Sequence, residues 1–131
     1  MSDSPKNSCP FCHITTDRIL AENSLAVAIA DGFPVTPGHT LVIPRRHTAD
    51  FFELSVAEVQ AIVELLHEAR RRLLAERAPA GFNVGINAGK LAGQTVMHAH
   101  IHLIPRYADD VPDPTGGVRN VIPGKANYLG K

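Results

Sequence analysis

The 131-residue chain predicts an α+β domain with a mainly antiparallel sheet and one long helix. Short segments alternate large and small residues at the two-residue period of a strand. One stretch, Ser55 to Ala78, repeats its apolar residues at helical spacing, and the strands are joined by turns rather than by repeated helical crossovers. A chain of this length is one ordinary domain. Folding hides roughly two-thirds of the unfolded surface at that size, so a hydrophobic core holds it without disulfide staples.

The first expected strand runs from Ser24 to Ala30, where Leu25, Val27 and Ile29 alternate with smaller residues; His39 to Ile43 repeats the pattern. Between them Asp31-Gly-Phe-Pro-Val-Thr-Pro-Gly38 is a turn dense in Pro and Gly that brings His39 back beside the first strand. Ser55-Val-Ala-Glu58 is a capping box. Val56, Val59, Ile62, Val63, Leu66 and Leu73 then recur at helical spacing as far as Ala78-Pro79. Arg70-Arg71-Arg72 reads as a solvated face that favours the helix C-terminus. Phe82 to Asn87 alternates again, and His98-Ala-His-Ile-His-Leu-Ile104 is the clearest strand. After Pro105 the chain is rich in Pro and Gly and shows no period. The expected organisation is a domain over residues 1–106 with residues 107–131 as its C-terminal extension.

Thirteen Lys and Arg against thirteen Asp and Glu leave no net charge, which argues against long nucleic acid or an anionic membrane as partner. The longest uncharged apolar run, Leu25 to Ala30, is far short of the ~20 residues a membrane helix needs. The stretch Met1 to Ser8 has no apolar core, so a cytoplasmic protein with reduced cysteines is expected.

Three of the seven histidines alternate in five residues. On a strand His98, His100 and His102 share one face, and Ala99, Ile101 and Leu103 share the other, which is the buried one. Imidazoles at ~6.7 Å steps then line a wet or ligand-filled face. The competing readings are three incidental histidines, or a metal chelated by one His-x-His pair; His98 and His102 start ~13 Å apart, too far for one ion to take all three easily. Before this strand, Asn87-Ala-Gly-Lys-Leu-Ala-Gly-Gln-Thr95 offers backbone N–H groups, an amide and a hydroxyl to a phosphate. It is no Walker loop, because Leu91 follows Lys90, and taken alone it is equally a glycine-rich hairpin connection. Cys9-Pro-Phe-Cys12 is half of a tetrahedral zinc site or a redox pair; the redox reading is weaker because no strand precedes it.

Gly93-Gln94-Thr95-Val-Met-His98-Ala-His100-Ile-His102-Leu-Ile-Pro-Arg106 resembles the signature of the histidine triad family, and Asp31 with Pro37-Gly38-His39-Thr-Leu-Val-Ile-Pro44 matches its upstream half. The resemblance implies a homodimeric nucleotide-binding fold that hydrolyses or transfers nucleoside monophosphate groups. Its substrates would be purine nucleotides or dinucleotides, as nucleoside phosphoramidates or dinucleoside polyphosphates. It implies His100 as the nucleophile, with His102 and His39 flanking the phosphate. It also implies Gln94 and Thr95 near the transferred phosphate and leaving group, Asn87 as a third polar contact and Asp31 on the ribose hydroxyls. Each has a local alternative, since His39 can cap a turn and Asn and Asp favour turns unaided. Gly32 stands where relatives often carry a bulkier apolar residue, so the base pocket is expected to be wider or built from Phe33. Some bacterial-type members hold a structural zinc, at positions that are here Cys9, Cys12, His47 and His98; no organic cofactor is implied. His13 and His67 receive no role. Two other functions fit the same residues: a nucleotide-binding regulator whose hydrolysis is incidental, and a zinc hydrolase with the triad as ligands.

Overall fold

The computed structural model describes residues 8–130, so the stretch Met1 to Ser8 read above lies outside them except for Ser8. The elements are β1 (Ile19–Glu22), β2 (Ala26–Ala30), β3 (Thr40–Pro44), α1 (Val56–Arg77), β4 (Gly81–Ile86) and β5 (Ile101–Arg106). They form one antiparallel sheet in the order β1-β2-β3-β5-β4, with α1 on one face. The expected α+β class is observed. β1 was not anticipated: it has four residues, only Ala21 is buried, and its register with β2 shifts between Ile19 and Ala21.

The helix begins where the capping box puts it. Ser55 Oγ accepts the Glu58 N–H and the Glu58 carboxylate accepts the Ser55 N–H. It ends on Ala78 in the left-handed region, ahead of Pro79. Ala61, Ile62, Leu65, Ala69 and Leu73 are buried against the sheet, where Ala26 and Ala28 of β2 are small enough to let the helix sit close. Part of the expected apolar stripe faces outward. Val56 is 85% exposed and Val63 43%, because at 100° per residue these two lie on the side of the helix away from Ala61, Leu65 and Ala69. Arg70, Arg71 and Arg72 are exposed, as a solvated face requires.

On the sheet face away from the helix, Val27, Ile29, Leu41 and Ile43 are covered by Phe11, Ile14 and Ile19. His102 belongs to this face, since it pairs with Leu41 on one side and with Gly85 on the other. The histidine strand is shorter than its pattern. β5 starts at Ile101, because the Ala99 N–H donates instead to the Thr48 carbonyl (2.7 Å) and draws residues 98–100 toward the loop after β3. The expected wet or ligand-filled histidine face is therefore corrected for two of its three members: His98 is fully buried and His100 is 8% exposed, while His102 lines a cleft.

The loop between β2 and β3 is pinned on both sides. The Asp31 N–H donates to the His39 carbonyl, Thr36 Oγ1 donates to the Pro105 carbonyl, and the Tyr107 hydroxyl donates to the Pro37 carbonyl. Gly38 has φ +89°, and a Cβ there would lie 2.6 Å from a Leu73 methyl. After β5 the chain is anchored by Arg106, which pairs with Asp110 at 2.7 Å, and makes a short turn of helix over Gly117–Val121 against β4. Between this segment, β4 and the Val35–Pro37 loop lies a cleft of about 1150 Å³ that reaches His39 and His102. No helix among the described residues is long and apolar enough to cross a membrane.

Candidate functional site

Three chain segments, residues 9–12, the loop after β3 and the stretch before β5, bring together Cys9, Cys12, His47 and His98. Cys12 Sγ lies 3.1 Å from His47 Nδ1 and 3.5 Å from His98 Nδ1; Cys9 Sγ lies 3.4 Å from His98 Nδ1, and the two histidine Nδ1 atoms are 3.3 Å apart. Zinc bonds of about 2.3 Å to sulfur and 2.0–2.1 Å to nitrogen put neighbouring ligand atoms of a tetrahedron roughly 3.3–3.8 Å apart, so the four side chains fit such an ion. The ring of His98 is already set for it. Its Nε2–H donates to the Pro44 carbonyl (2.7 Å), which leaves the Nδ1 lone pair facing the thiols. His47 has no such brace among the described residues: its buried Nε2 has no partner there, and its hydrogen bonds to them are on the cluster side. The set is thus a possible metal site.

A second cluster, Asp31, His39 and His102, also brings three ligand-type atoms together. His39 Nε2 is 2.9 Å from His102 Nδ1 and 3.3 Å from Asp31 Oδ2. Its chemistry differs from the first. The backbone N–H of Val35 donates to His39 Nδ1 (3.1 Å), so a neutral His39 carries its hydrogen on Nε2 and gives it to His102. Burial lowers the pKa of His39 against the opposing pull of Asp31. Burial, then His100 and His39, lower that of His102, again against Asp31. Asp31 Oδ1 accepts the Phe33 N–H (2.8 Å), which is the local turn role, while Oδ2 faces the histidines.

His100 lies between the clusters. Its Nδ1–H donates to the His98 carbonyl (2.8 Å), so its Nε2 keeps a lone pair. The ring meets His102 at 5.2 Å and Phe11 at 5.0 Å, both edge to face. Phe11 had no place in the sequence reading. The signal for it was an aromatic residue held between two candidate ligands in Cys-Pro-Phe-Cys. Phe33, expected as a pocket wall, is 91% exposed. A Cβ on Gly32 would meet nothing within 4 Å, so the space beside Asp31 is open.

In the loop before β5, Gln94 is buried and fully engaged. Its Oε1 accepts the Gly89 N–H, and its Nε2 donates to the Ala49 and Val96 carbonyls. Gly89 and Gly93 supply the positive φ values that bend the loop. Thr95 is exposed at its end, and Asn87 lines the cleft. His13 and His67 are exposed and lie in neither cluster.

A family model described as HIT domain matches residues 14–109. The chain is 38% identical over 103 residues to the adenosine 5'-monophosphoramidase hnt1 of Schizosaccharomyces pombe, spanning 76% of this chain and 72% of that protein. It is 32% identical over 93 residues to an AP-4-A phosphorylase of Mycobacterium tuberculosis, spanning 70% of this chain and 48% of that protein. Among solved structures, a zinc-bound histidine triad family protein from Mycobacterium smegmatis matches with a TM-score of 0.73 and 33% identity, covering 83% of this chain and 86% of that one.

Proposed function

Because the chain belongs to the histidine triad family, we propose that it is a nucleotide hydrolase or transferase. In this reading it releases a nucleoside monophosphate from phosphoramidates or dinucleoside polyphosphates through a covalent nucleotidyl-histidine on His100. The observation that carries the reading is the tautomer of His100: with Nδ1–H committed to a backbone carbonyl, Nε2 is the reacting atom. Nε2 attacks the α-phosphorus, and the bond to the leaving nitrogen or oxygen breaks with its electron pair going to the leaving group. Water then attacks the same phosphorus, the monophosphate departs, and His100 regains its lone pair; protons exchange with solvent.

The other site residues serve this step. His102 is the flanking histidine that meets the phosphate, with His39 hydrogen-bonded to it from the side of β3, and Thr95 lies at the end of the loop that Gln94 holds in shape. Asp31 Oδ2 is available to ribose hydroxyls, Phe11 and Ile14 offer an apolar wall to the base, and the cleft along Asn87 takes the leaving group. Zinc is assigned to Cys9, Cys12, His47 and His98 as a structural ion. It would tie the N-terminal segment to the histidine loop and supply no reacting atom. That division disfavours a zinc hydrolase using all three triad histidines, since His98 faces the thiols while the His100 ring packs on His102, which lines the cleft. A homodimer in the cytoplasm completes the reading: Val84 and Ile86 are exposed on edge strand β4, and Val56 and Val63 on α1.

The deciding experiment is rapid-quench capture of a labelled nucleotidyl-enzyme with peptide mapping. The label is expected on His100 and lost, with turnover, in His100→Ala. A label elsewhere, or an active His100→Ala protein, would falsify the mechanism, and tight nucleotide binding without turnover would favour the regulator instead.

A further inference from the structure

We propose that His39 is a positioning residue which acts only through His102: gripped at Nδ1 by the Val35 amide, it holds His102 in the neutral tautomer that presents Nε2–H to the phosphate. The proposal rests on the function read for this site and assigns a separate role within it.

Both ring nitrogens of His39 are spent. Nδ1 accepts the Val35 N–H, and Nε2–H points to His102 Nδ1 with Asp31 Oδ2 behind it. The residue is buried on β3's leading edge, so it has no polar atom left for a substrate. Its hydrogen bond fixes its neighbour. With Nδ1 accepting, a neutral His102 carries its hydrogen on Nε2, a donor suited to a phosphate oxygen whose charge grows in the transition state.

The same chain of bonds opposes an extra proton. A proton on His39 Nδ1 would confront the Val35 N–H, and one on His102 Nδ1 would confront the His39 Nε2–H; each sets donor against donor. The charged and titratable groups facing the pair are few. His100 meets His102 from β5, Asp31 meets His39 from the end of β2, and Arg106 in the cleft is already paired with Asp110. Only Asp31 favours protonation. The Val35 amide is held in place because its loop is bonded through Thr36 to the end of β5 and closed by Gly38 against α1. No side-chain pattern in the sequence marks that amide, since the Val35 side chain itself is exposed.

The test is long-range ¹H–¹⁵N NMR of the imidazoles in the full-length, metal-replete protein without nucleotide. Expected are a hydrogen on Nε2 and a bare Nδ1 for both His39 and His102, with both rings still neutral at the ordinary imidazole midpoint of ~6.5. Val35→Pro, which deletes the donor, should raise the midpoint of His39. His39→Leu should raise that of His102 by about one pH unit or more. His39→Gln keeps an N–H able to reach His102 Nδ1 and should restore the low midpoint. In turnover, His39→Leu should lower kcat at least tenfold with KM little changed, and His39→Gln should recover most of it. An Nδ1–H tautomer on either ring of the wild type, an unmoved His102 midpoint in His39→Leu, or a loss confined to KM would each overturn the proposal. The wild-type spectrum alone is decisive if a variant fails to fold. Because it needs no reaction, a missing label on His100 would sink the enzyme mechanism and leave this assignment standing.

Discussion

The cluster of Cys9, Cys12, His47 and His98 and the cluster of Asp31, His39 and His102 are built alike, from histidines brought together by β3, β5 and their flanking loops. Their chemistry is opposite, and the backbone makes the difference. Behind His98 stands a carbonyl, that of Pro44, which takes the Nε2 hydrogen and turns a lone pair toward the thiols. Behind His39 stands an amide, that of Val35, which takes the lone pair and turns a hydrogen toward His102. A ring backed by an acceptor is ready for a metal, whereas a ring backed by a donor is ready to donate. Ligand-type side chains at ligand distances are therefore not sufficient to define a metal site.

The largest effect should come from breaking the first cluster. If the cluster holds the proposed zinc, chelation or Cys9→Ser would remove an ion that binds only the folded chain, and at one hundred times its dissociation constant such an ion is worth about 2.7 kcal/mol. For a domain of this size that is a fall of roughly 10 °C in thermal midpoint. Calorimetry with metal analysis checks it. Protein purified without chelator that holds no zinc, or an unchanged midpoint in Cys9→Ser, would break the contrast at its first term.

The second cluster should then refuse what the first accepts. For His39 Nε2 to bind an ion, the hydrogen must move to Nδ1, where the Val35 N–H already points, so the site loses a hydrogen bond before it gains a ligand. A second equivalent of zinc should bind at least about 100-fold more weakly than the first, as a penalty near 3 kcal/mol implies. Competition titration with a chromogenic chelator measures both steps. Two equivalents of similar affinity would show that the backbone does not decide.

Much of this was legible in the residues and some was not. The helix was readable to within a residue because Ser55 and Glu58 cap it locally and Ala78-Pro79 stops it. The alternation of β2 and β3 survived because both faces of those strands are buried and reward it. The start of β5 was not readable. The alternating histidines obey strand period throughout, yet a tertiary bond from Ala99 to Thr48 takes the first three residues out of the ladder. The four metal-type ligands came from family resemblance, and the structure brings their donor atoms together. The Val35 amide was invisible for another reason: what matters is where the fold carries it, and the residue type does not announce it, whereas Phe11 left one signal, its place between two candidate ligands.

The smallest effect sharpens the contrast through acid. Folded His39 and His102 sit below the ordinary imidazole pKa, so as pH falls past ~6.5 the unfolded chain takes up protons that the folded chain resists, and stability drops. The loss continues until pH reaches the folded values, and for each ring it is below the ~1.4 kcal/mol per pH unit that full linkage allows. Carboxylates cannot imitate it in this window. Glu58 is held at about 2, first by the Arg46 side chain and then by the Ser55 amide, and Asp110 at about 2 mainly by Arg106. Their stabilisation is fully present above the usual carboxylate range and is lost only as pH falls toward 2. Protons competing for the thiol cluster could weaken metal binding in the same window, but that loss is common to wild type and to His39→Gln. Urea unfolding at pH 7.5, 6.5 and 5.5 should therefore show wild type losing more stability than His39→Gln, which lacks one of the two resisting rings. Equal losses would mean that His39 accepts a proton in the fold as readily as it does unfolded, and that the Val35 amide does not protect it.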